Sequence, residues 1–292
     1  MWIVLALIAA VASAGTSLLL KRAVGSAGVV VSTVAFRGVG GVLLAIATMI
    51  GGPWPATTPT FWRALAFVIP NEIGGMLCLS LALQKGDVSA VQPIMGFIPL
   101  LTMLGGALFL QEVPSVLAVI GMLLVVSGLY FVGLPKGGSA LDPIRAFATS
   151  PASWIALLAA LFWTVTSLTH KVGIAEVGAM PWATALTLGS AVALAVALPF
   201  LARADGGLGL PGQAGAWIRV VALTGVCFAV QQFGLHNALR RTQAGYVMAV
   251  VSSSILLATT VGVFVLREQG GSHRITGALL VSSGVALIAV FG

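Results

Sequence analysis

The amino-acid sequence contains one long motif twice, and this internal repeat constrains the fold more than any other feature. The first copy has FLQE at 109–112, then eight residues, then GMLLVVSGL at 121–129. The second has VLRE at 265–268, eight residues and GALLVSSGV at 277–285, so every matched residue lies 156 positions later. A weaker match at an offset of 150 links the first apolar segment to the sixth. We therefore expect two halves built on one plan.

The composition indicates a protein that lies in a lipid membrane. Hydrophobic residues make up 59% of the 292 residues and charged residues only 7%, whereas a soluble domain has about 25% charged residues. The net charge of +7 comes from basic residues scattered singly near the ends of apolar segments. That distribution is typical of a membrane interface. We therefore expect the lipid bilayer as a partner and no nucleic acid.

Ten apolar segments are long enough to cross a bilayer, which takes about 20 residues per helix. They are residues 2–20, 29–50, 61–84, 88–110, 114–133, 152–171, 181–202, 214–239, 244–266 and 274–291. Each segment is a continuous apolar run, which predicts a helix and not a strand of a β-barrel. The longest polar stretch, 135–151, is interpreted as a linker between a first five-helix repeat at 1–134 and a second at 152–292.

The odd number of spans in each half has a geometric consequence. Equivalent residues of the two halves must cross the membrane in opposite directions. The predicted fold is thus an all-α integral membrane protein with ten transmembrane helices in two inverted five-helix repeats. Many secondary transporters have this plan and bind substrate near mid-membrane between the repeats. A modest excess of basic residues on one side places both termini outside the cytoplasm by the positive-inside rule.

Several of these features resemble the EamA-like branch of the drug/metabolite transporter superfamily. They are the two repeats that end in Glu, eight residues, Gly, an apolar run and Ser-Gly, and Arg37 in AFRGVGGVLLA. The GTSLLLK end of the first helix is also similar to the small multidrug resistance proteins. The resemblance covers nearly the whole chain. It implies a multi-pass carrier of the inner (plasma) membrane for small metabolites, amino acids or drugs, with cytoplasmic termini, in conflict with the charge distribution.

One departure from that pattern concerns the coupling ion. In the small multidrug resistance proteins, a glutamate in the first helix couples substrate movement to protons. The matching residues 10–17 have no carboxylate here, and Ser13 lies near that place. Proton coupling is therefore not expected to run through the first helix.

Glu72 is the one acidic residue deep in a predicted helix, and an intramembrane ionisable residue is by default a functional candidate. Asn71 precedes it and is also a candidate residue of the substrate path. Pro70 and the Gly-Gly pair at 74–75 predict an interrupted helix that exposes backbone to a cavity. The Glu72 carboxylate is predicted to titrate a proton or to bind a substrate ammonium group. The alternative is a structural ion pair between Glu72 and Arg37. Arg37 is accordingly either the partner of Glu72 in this ion pair or a group that binds a substrate carboxylate.

The face of the third helix that carries Glu72 has a polar counterpart in the eighth. At the offset of 156, Met76 corresponds to Gln232 and Ser80 to His236. Residues four apart share a helix face. We therefore predict that Met76 and Gln232 line the substrate path. His236 either lines it as well, where it could titrate near neutral pH, or lies at the interface.

Trp163 differs from most tryptophans of the chain because it lies at roughly mid-membrane depth. Others, including Trp54, Trp62 and Trp182, lie near predicted helix ends and are interpreted as interface anchors. Trp163 is either a platform for apolar or cationic substrates or part of the core packing.

Two further motifs are assigned to the shape of the scaffold. Gln92, with Pro93 and Pro99, is predicted to set a cavity-lining bend in the fourth helix, and Gln92 is also a candidate residue of the substrate path. The repeated residues Glu112 and Glu268 lie before turns at helix ends and are interpreted as structural turn or cap groups.

Together these features predict a secondary transporter that moves an amino acid, an amine or a drug-like amphiphile across the inner membrane by alternating access. Export is the expected direction, and protons are the candidate coupling ion. The sequence has no nucleotide-binding loop, metal-ligand spacing or nucleophile–base pair, so we expect neither an enzyme nor a cofactor or metal. The alternative is a flippase, or flippase subunit, for a lipid-linked substrate. Monomer and homodimer are both compatible with the sequence.

Overall fold

The computed structural model describes residues 1–85, 88–134, 150–204, 214–257 and 272–292, and its regular elements in those ranges are α-helices. They are α1 (Trp2–Ala27), α2 (Val29–Gly51), α3 (Pro59–Lys85), α4 (Val88–Met95), α5 (Ile98–Phe109), α6 (Val116–Gly133), α7 (Pro151–Val177), α8 (Ala179–Ala204), α9 (Ala214–Leu239), α10 (Ala244–Ser252) and α11 (Ser272–Phe291). A further helical turn follows α10 at 254–257.

Six of the described helices, α1–α3 and α7–α9, are long and apolar enough to cross a membrane. Shorter apolar helical stretches lie at Pro93–Phe109, Val116–Val132, Ala244–Leu257 and Ile275–Phe291. These stretches match the remaining four predicted spans. An all-helical, multi-pass membrane protein is therefore the fold class that the structure supports.

The helices group into two compact units, and neither unit follows one half of the sequence. Unit 1 consists of Met1–Ile69 and Val172–Arg240, and unit 2 consists of Pro70–Lys171 and Arg241–Gly292. The boundaries fall inside α3 and α7, so each unit combines helices from both halves. The proposed repeat boundaries on either side of the linker at 135–151 stay a prediction, since the linker lies almost entirely outside the described residues.

In unit 1 the alanine-rich first half of α1 packs tightly against α9. Ala6 and Ala9 are fully buried, and a Cβ atom added to Gly234 would lie 2.5 Å from the backbone oxygen of Leu5. Small residues let two helix backbones approach closely, which is how membrane helices commonly associate. The small residues of α1 and α9 therefore determine how these two helices meet.

In unit 2 the repeated motif forms a reciprocal contact between α6 and α11. A Cβ atom on Gly121 would lie 2.8 Å from the backbone oxygen of Gly284, and one on Gly128 would lie 2.6 Å from that of Gly277. Gly121 and Gly277, like Gly128 and Gly284, are equivalent at the offset of 156. The two helices are therefore antiparallel, and equivalent glycines make equivalent contacts.

In unit 1 a second pair of equivalent helices, α2 and α8, is also antiparallel. A Cβ atom on Gly41 would lie 2.5 Å from Leu188, and the hydroxyl oxygens of Thr48 and Thr184 lie 2.8 Å apart. The order along α8 is thus opposite to that along α2. These two pairs of corresponding helices, one in each unit, thus run in opposite directions.

The fourth and ninth predicted spans are interrupted at the same place in the repeat. The first breaks at Gly96–Phe97, between α4 and α5, and the second at Ser253, where α10 ends. Phe97 and Ser253 are equivalent at the offset of 156. The first interruption lies between Pro93 and Pro99, and the cavity-lining bend expected there stays a prediction. The second copy is interrupted without prolines, and its Ser253 hydroxyl donates to the Val250 carbonyl at 2.6 Å, a kind of bond that can bend a helix.

Glu112 ties the end of α5 to the start of α10. Its Oε2 accepts a hydrogen bond from the Ala244 N–H at 2.8 Å, and its Oε1 lies 2.9 Å from Lys171 Nζ. Lys171 Nζ also donates to the Thr242 carbonyl at 2.7 Å. The carboxylate thus caps the positive end of a helix, and the predicted structural role of Glu112 is confirmed. Glu268 lies outside the described residues.

Trp182 is not the interface anchor that its position near a helix end predicted. Its side chain is fully buried, its ring lies where a Cβ atom on Gly173 would be, and it packs edge-on against Phe61 with centroids 5.9 Å apart. Trp54 and Trp62, in contrast, are 46% and 57% exposed. The exposed pair fits the anchor interpretation, whereas Trp182 belongs to the core of unit 1.

Replacing Gly128 with alanine is expected to destabilise the protein. The added carbon would press on the backbone of α11, and overpacking of this kind typically costs about 1–3 kcal/mol. The same change at Gly38, where a Cβ atom would meet nothing within 4 Å, should be neutral or slightly stabilising because alanine favours helix more than glycine does. Thermal unfolding in detergent measures both variants. Equal melting temperatures would contradict the glycine contact.

Replacing Glu112 with alanine is expected to lower stability by about 2 kcal/mol, since hydrogen bonds to charged groups contribute about 1.5–3 kcal/mol. Glu112→Gln should cost less, because its amide oxygen can still accept from the Ala244 N–H. A double-mutant cycle with Lys171→Met, followed by thermal unfolding, separates the ion pair from the cap. Additive effects of the Glu112→Gln and Lys171→Met changes would show that the ion pair contributes nothing.

Candidate functional site

Glu72 lies on α3, two residues beyond the point where the chain passes from unit 1 to unit 2. The predicted interruption is absent, because α3 is continuous from Pro59 to Lys85 with Pro70 inside it. Pro70 still removes one backbone donor from the helix. Glu72 and its neighbour Asn71 are both partly buried. The carboxylate is therefore carried by an unbroken helix, at a position where one helical hydrogen bond is missing.

The glycine pair at 74–75 makes room for two aromatic side chains of α7. A Cβ atom on Gly75 would lie 2.8 Å from Trp163 Nε1, and one on Gly74 would lie 3.2 Å from the Phe162 ring. Gly75 lies three residues after Glu72, so both lie on the same face of α3. The indole of Trp163 therefore packs on α3 within one helical turn of Glu72.

Trp163 also contributes to the core of unit 2. It is partly buried and packs against a hydrophobic cluster that includes Ala82, Ile98 and Ala159. One part of the indole thus packs in the core, while its Nε1 edge points at the glycine pair at 74–75 of α3. These contacts support a packing role for Trp163, and its role as a platform for substrates stays a prediction.

The other predicted residues of unit 2 differ in what the structure says about them. Met76 is partly buried next to Gly75, on the face that carries Glu72. Gln92 lies on α4, but its side chain lies outside the described part of the chain. Met76 therefore joins the group around Glu72, and the role of Gln92 stays a prediction.

Arg37 of α2 stacks on an aromatic ring that the sequence analysis did not assign to it. Its Cζ lies 5.2 Å from the centroid of Phe228, within the range of a cation–π interaction. Phe36 meets the same ring edge-on at 5.2 Å. Phe228 is the residue equivalent to Glu72 at the offset of 156. Arg37 belongs to unit 1 and Glu72 to unit 2, so their ion pair stays a prediction.

Gln232 and His236 of α9 lie in the interior of unit 1. Gln232 is 4% exposed and His236 is fully buried, so both side chains pack inside unit 1. The ring Nδ1 of His236 lies 2.8 Å from the Gln232 carbonyl. Because a carbonyl only accepts, Nδ1 carries the proton of this bond. The sequence correctly places both side chains on one helix face, and that face is packed.

Two aromatic contacts were missed by the sequence analysis, namely Phe162 on Gly74 and Phe228 under Arg37. The Gly-Gly pair at 74–75 was a usable signal for the first, since adjacent helical glycines often mark a close approach. No sequence pattern pointed to the second.

In the described residues, no group of three or more His, Cys, Asp or Glu side chains could hold a metal ion.

Comparison with known proteins agrees with this architecture. A family model described as the EamA-like transporter family matches residues 1–134 and 150–290. No curated protein matches the chain. A solved structure, described only as the crystal structure of a protein, superimposes with a TM-score of 0.78 at 18% identity and covers 100% of this chain and 99% of the other. At that identity the likeness is one of fold. The family match extends over both halves, and the chain therefore belongs to the EamA-like transporter family.

Proposed function

We propose that this membrane transporter is a secondary carrier that exports a small organic metabolite with a protonatable amine across the inner membrane by alternating access. Amino acids, simple amines and drug-like amphiphiles that carry an amine have this chemistry. Antiparallel packing of equivalent helices, in α2 with α8 and in α6 with α11, supports two inverted five-helix repeats. Inverted repeats are the usual basis of alternating access.

The observation that carries the proposal is the group formed by Glu72, the glycine pair at 74–75 and Trp163. An ammonium group fits both partners, because it can pair with a carboxylate and lie against an indole. The missing side chain at Gly75 allows the indole to approach the backbone of α3 closely. Met76 borders the same face and supplies a soft apolar wall.

A single carboxylate at such a site provides a simple means of coupling. Glu72 can hold one proton or balance one ammonium charge, but not both. Protons and substrate then compete for the same group, and release of one favours binding of the other. Inward movement of a proton along its gradient would drive outward movement of the amine. This arrangement needs no carboxylate in the first helix, in accordance with the sequence of α1.

The remaining predicted residues have weaker support. Arg37 is proposed to bind a substrate carboxylate, since a guanidinium that stacks on a ring can still donate from its edge. His236 bonds to the main-chain carbonyl of Gln232 and both side chains are buried, which supports a packing role for both. The roles of Asn71 and Gln92 in the substrate path stay predictions. The flippase alternative predicts movement of labelled lipid-linked sugars in liposomes instead of amine flux.

The Glu72→Gln variant is expected to lose pH-gradient-driven flux of amines or amino acids by at least about tenfold, because the amide cannot exchange a proton. It should still bind or exchange some substrate. The measurement is transport in proteoliposomes over an amine and amino-acid panel. Glu176→Gln is the matched control, since Glu176 lies near the end of α7 and hydrogen-bonds Thr58. Unchanged gradient-driven flux in folded Glu72→Gln protein would refute the coupling role.

Replacing Trp163 with leucine is expected to weaken amine binding by about 2- to 30-fold, the equivalent of a cation–π interaction of about 0.5–2 kcal/mol. Phenylalanine should retain part of the affinity. Trp154→Leu is the control, because Trp154 lies on the same helix with its ring exposed. Binding of a neutral analogue without the amine separates the two roles of Trp163. An equal loss for the neutral analogue would assign Trp163 to core packing.

A further inference from the structure

Unit 1 contains a cavity of about 640 Å³ that the transport proposal does not use. It lies between the end of α2, the loop at 52–58, the start of α3 and the middle of α8. Its walls are almost entirely apolar and include Met49, Trp54, Phe61, Trp62 and Leu188. Small-molecule sites in proteins typically have about 300–1,000 Å³. The cavity is therefore large enough for a ligand or for part of a lipid.

The depth of the cavity is fixed by the helices that line it. Ala45 lies six residues before the end of α2 at Gly51, and Leu65 lies six residues after the start of α3 at Pro59. At ~1.5 Å per residue, both walls extend about 9 Å inward from the helix ends. With these helix ends at the membrane surface, the cavity extends past the loop at 52–58 into the outer part of the hydrocarbon region.

Hydrogen bonds hold the mouth of the cavity in shape. Trp62 Nε1 donates to Thr57 Oγ1 at 3.1 Å, and the Phe61 N–H donates to Thr58 Oγ1 at 3.1 Å, which caps α3. The Thr58 hydroxyl in turn donates to the Glu176 carboxylate. These bonds hold the loop and the Trp62 wall in place.

The walls of the cavity lack a group that would recognise a charged small molecule. Its polar wall atoms include the hydroxyls of Thr48 and Thr184, which lie 2.8 Å apart and bond to each other. The interior thus favours hydrocarbon over a polar solute.

The surroundings of the cavity provide the source of that hydrocarbon. Met49, in its wall, is 76% exposed and the adjacent Ile50 is 82% exposed, so in a bilayer lipid tails cover this face. Arg63 follows Trp62 in the chain, is exposed, and is held near the start of α3 by its Nε bond to the Pro59 carbonyl at 3.3 Å. Arg63 is not itself a wall residue, but it lies within about one turn of the start of α3, where the loop borders the cavity, so a cation and an apolar cavity at one end of the helix match the two ends of a phospholipid.

We propose that this cavity binds one acyl chain of a membrane phospholipid, whose phosphate group lies near Arg63. The inference requires that the chain lies in a bilayer, but it is independent of the amine chemistry proposed for Glu72. The bound lipid would fill the space between α2, α3 and α8 and stabilise the packing of unit 1. It would also make this end of the transporter sensitive to the composition of the surrounding membrane.

Native mass spectrometry of the detergent-purified protein tests the proposal by the number of phospholipids that remain bound. Ala185 lines the cavity, so Ala185→Trp should fill it and lower the fraction of protein with a bound phospholipid at least about tenfold. Arg63→Gln should lower it less. Ala66→Trp is the matched control, because Ala66 is exposed on α3 outside the cavity. Wild-type lipid retention by a folded Ala185→Trp protein would overturn the proposal.

A second measurement does not depend on how the variants fold. A phospholipid with a photoactivatable group in its acyl chain, reconstituted with the wild-type protein, should label peptides around Ala45, Leu65 and Leu188. Labels spread evenly over exposed apolar faces would overturn the proposal, and so would displacement of the lipid by a transported amine. Glu72→Gln should lose coupled flux and keep the label, so a failure of either proposal can be recognised separately.

Discussion

The structure depends on backbone approach between helices, most clearly where Gly121 and Gly128 of α6 meet Gly284 and Gly277 of α11. In a membrane, helices gain little by hiding apolar side chains from lipid, because lipid is equally apolar. Association therefore rests on packing contacts, and these increase when small residues let two backbones come together. A repeated sequence with glycines in register forms such a contact with its own copy. The same logic explains the alanine-rich face of α1 and Gly234 of α9.

Features that occur in both halves of the chain are interpreted as scaffold, whereas a candidate functional residue such as Glu72 occurs in one half only. The interruption at Gly96–Phe97 and at Ser253 occurs in both halves, and both Arg63 and Arg219 bond through Nε to the carbonyl four residues earlier. These features maintain the shape. Glu72, in contrast, has Phe228 as its counterpart. A carboxylate and an aromatic face both attract cations, yet only the carboxylate exchanges protons, so the two halves differ chemically at this position, in accordance with the coupling role proposed for Glu72.

The sequence predicted the helices well because hydropathy reports directly which segments prefer lipid to water. It also predicted the role of Glu112, since a carboxylate before a turn has few alternatives to capping. It did not predict the burial of Trp182, the ring under Arg37 or the cavity beside Trp62. Each of these depends on which face of a helix meets another helix, and in an apolar helix nearly every face looks alike. The boundary between the two units at Pro70 was not predicted either, for the same reason.

The glycine pair at 74–75 links scaffold and chemistry on α3. Glycine in a helix interior costs about 1 kcal/mol relative to alanine, so two in succession need a compensating benefit. Here they let Phe162 and Trp163 of α7 lie against the helix backbone, which gives packing energy and brings the indole onto the face of α3 that carries Glu72. A bulkier residue at Gly75 would push the indole away from that face. Helix packing in unit 2 therefore also sets how closely an aromatic ring can approach the region of the carboxylate.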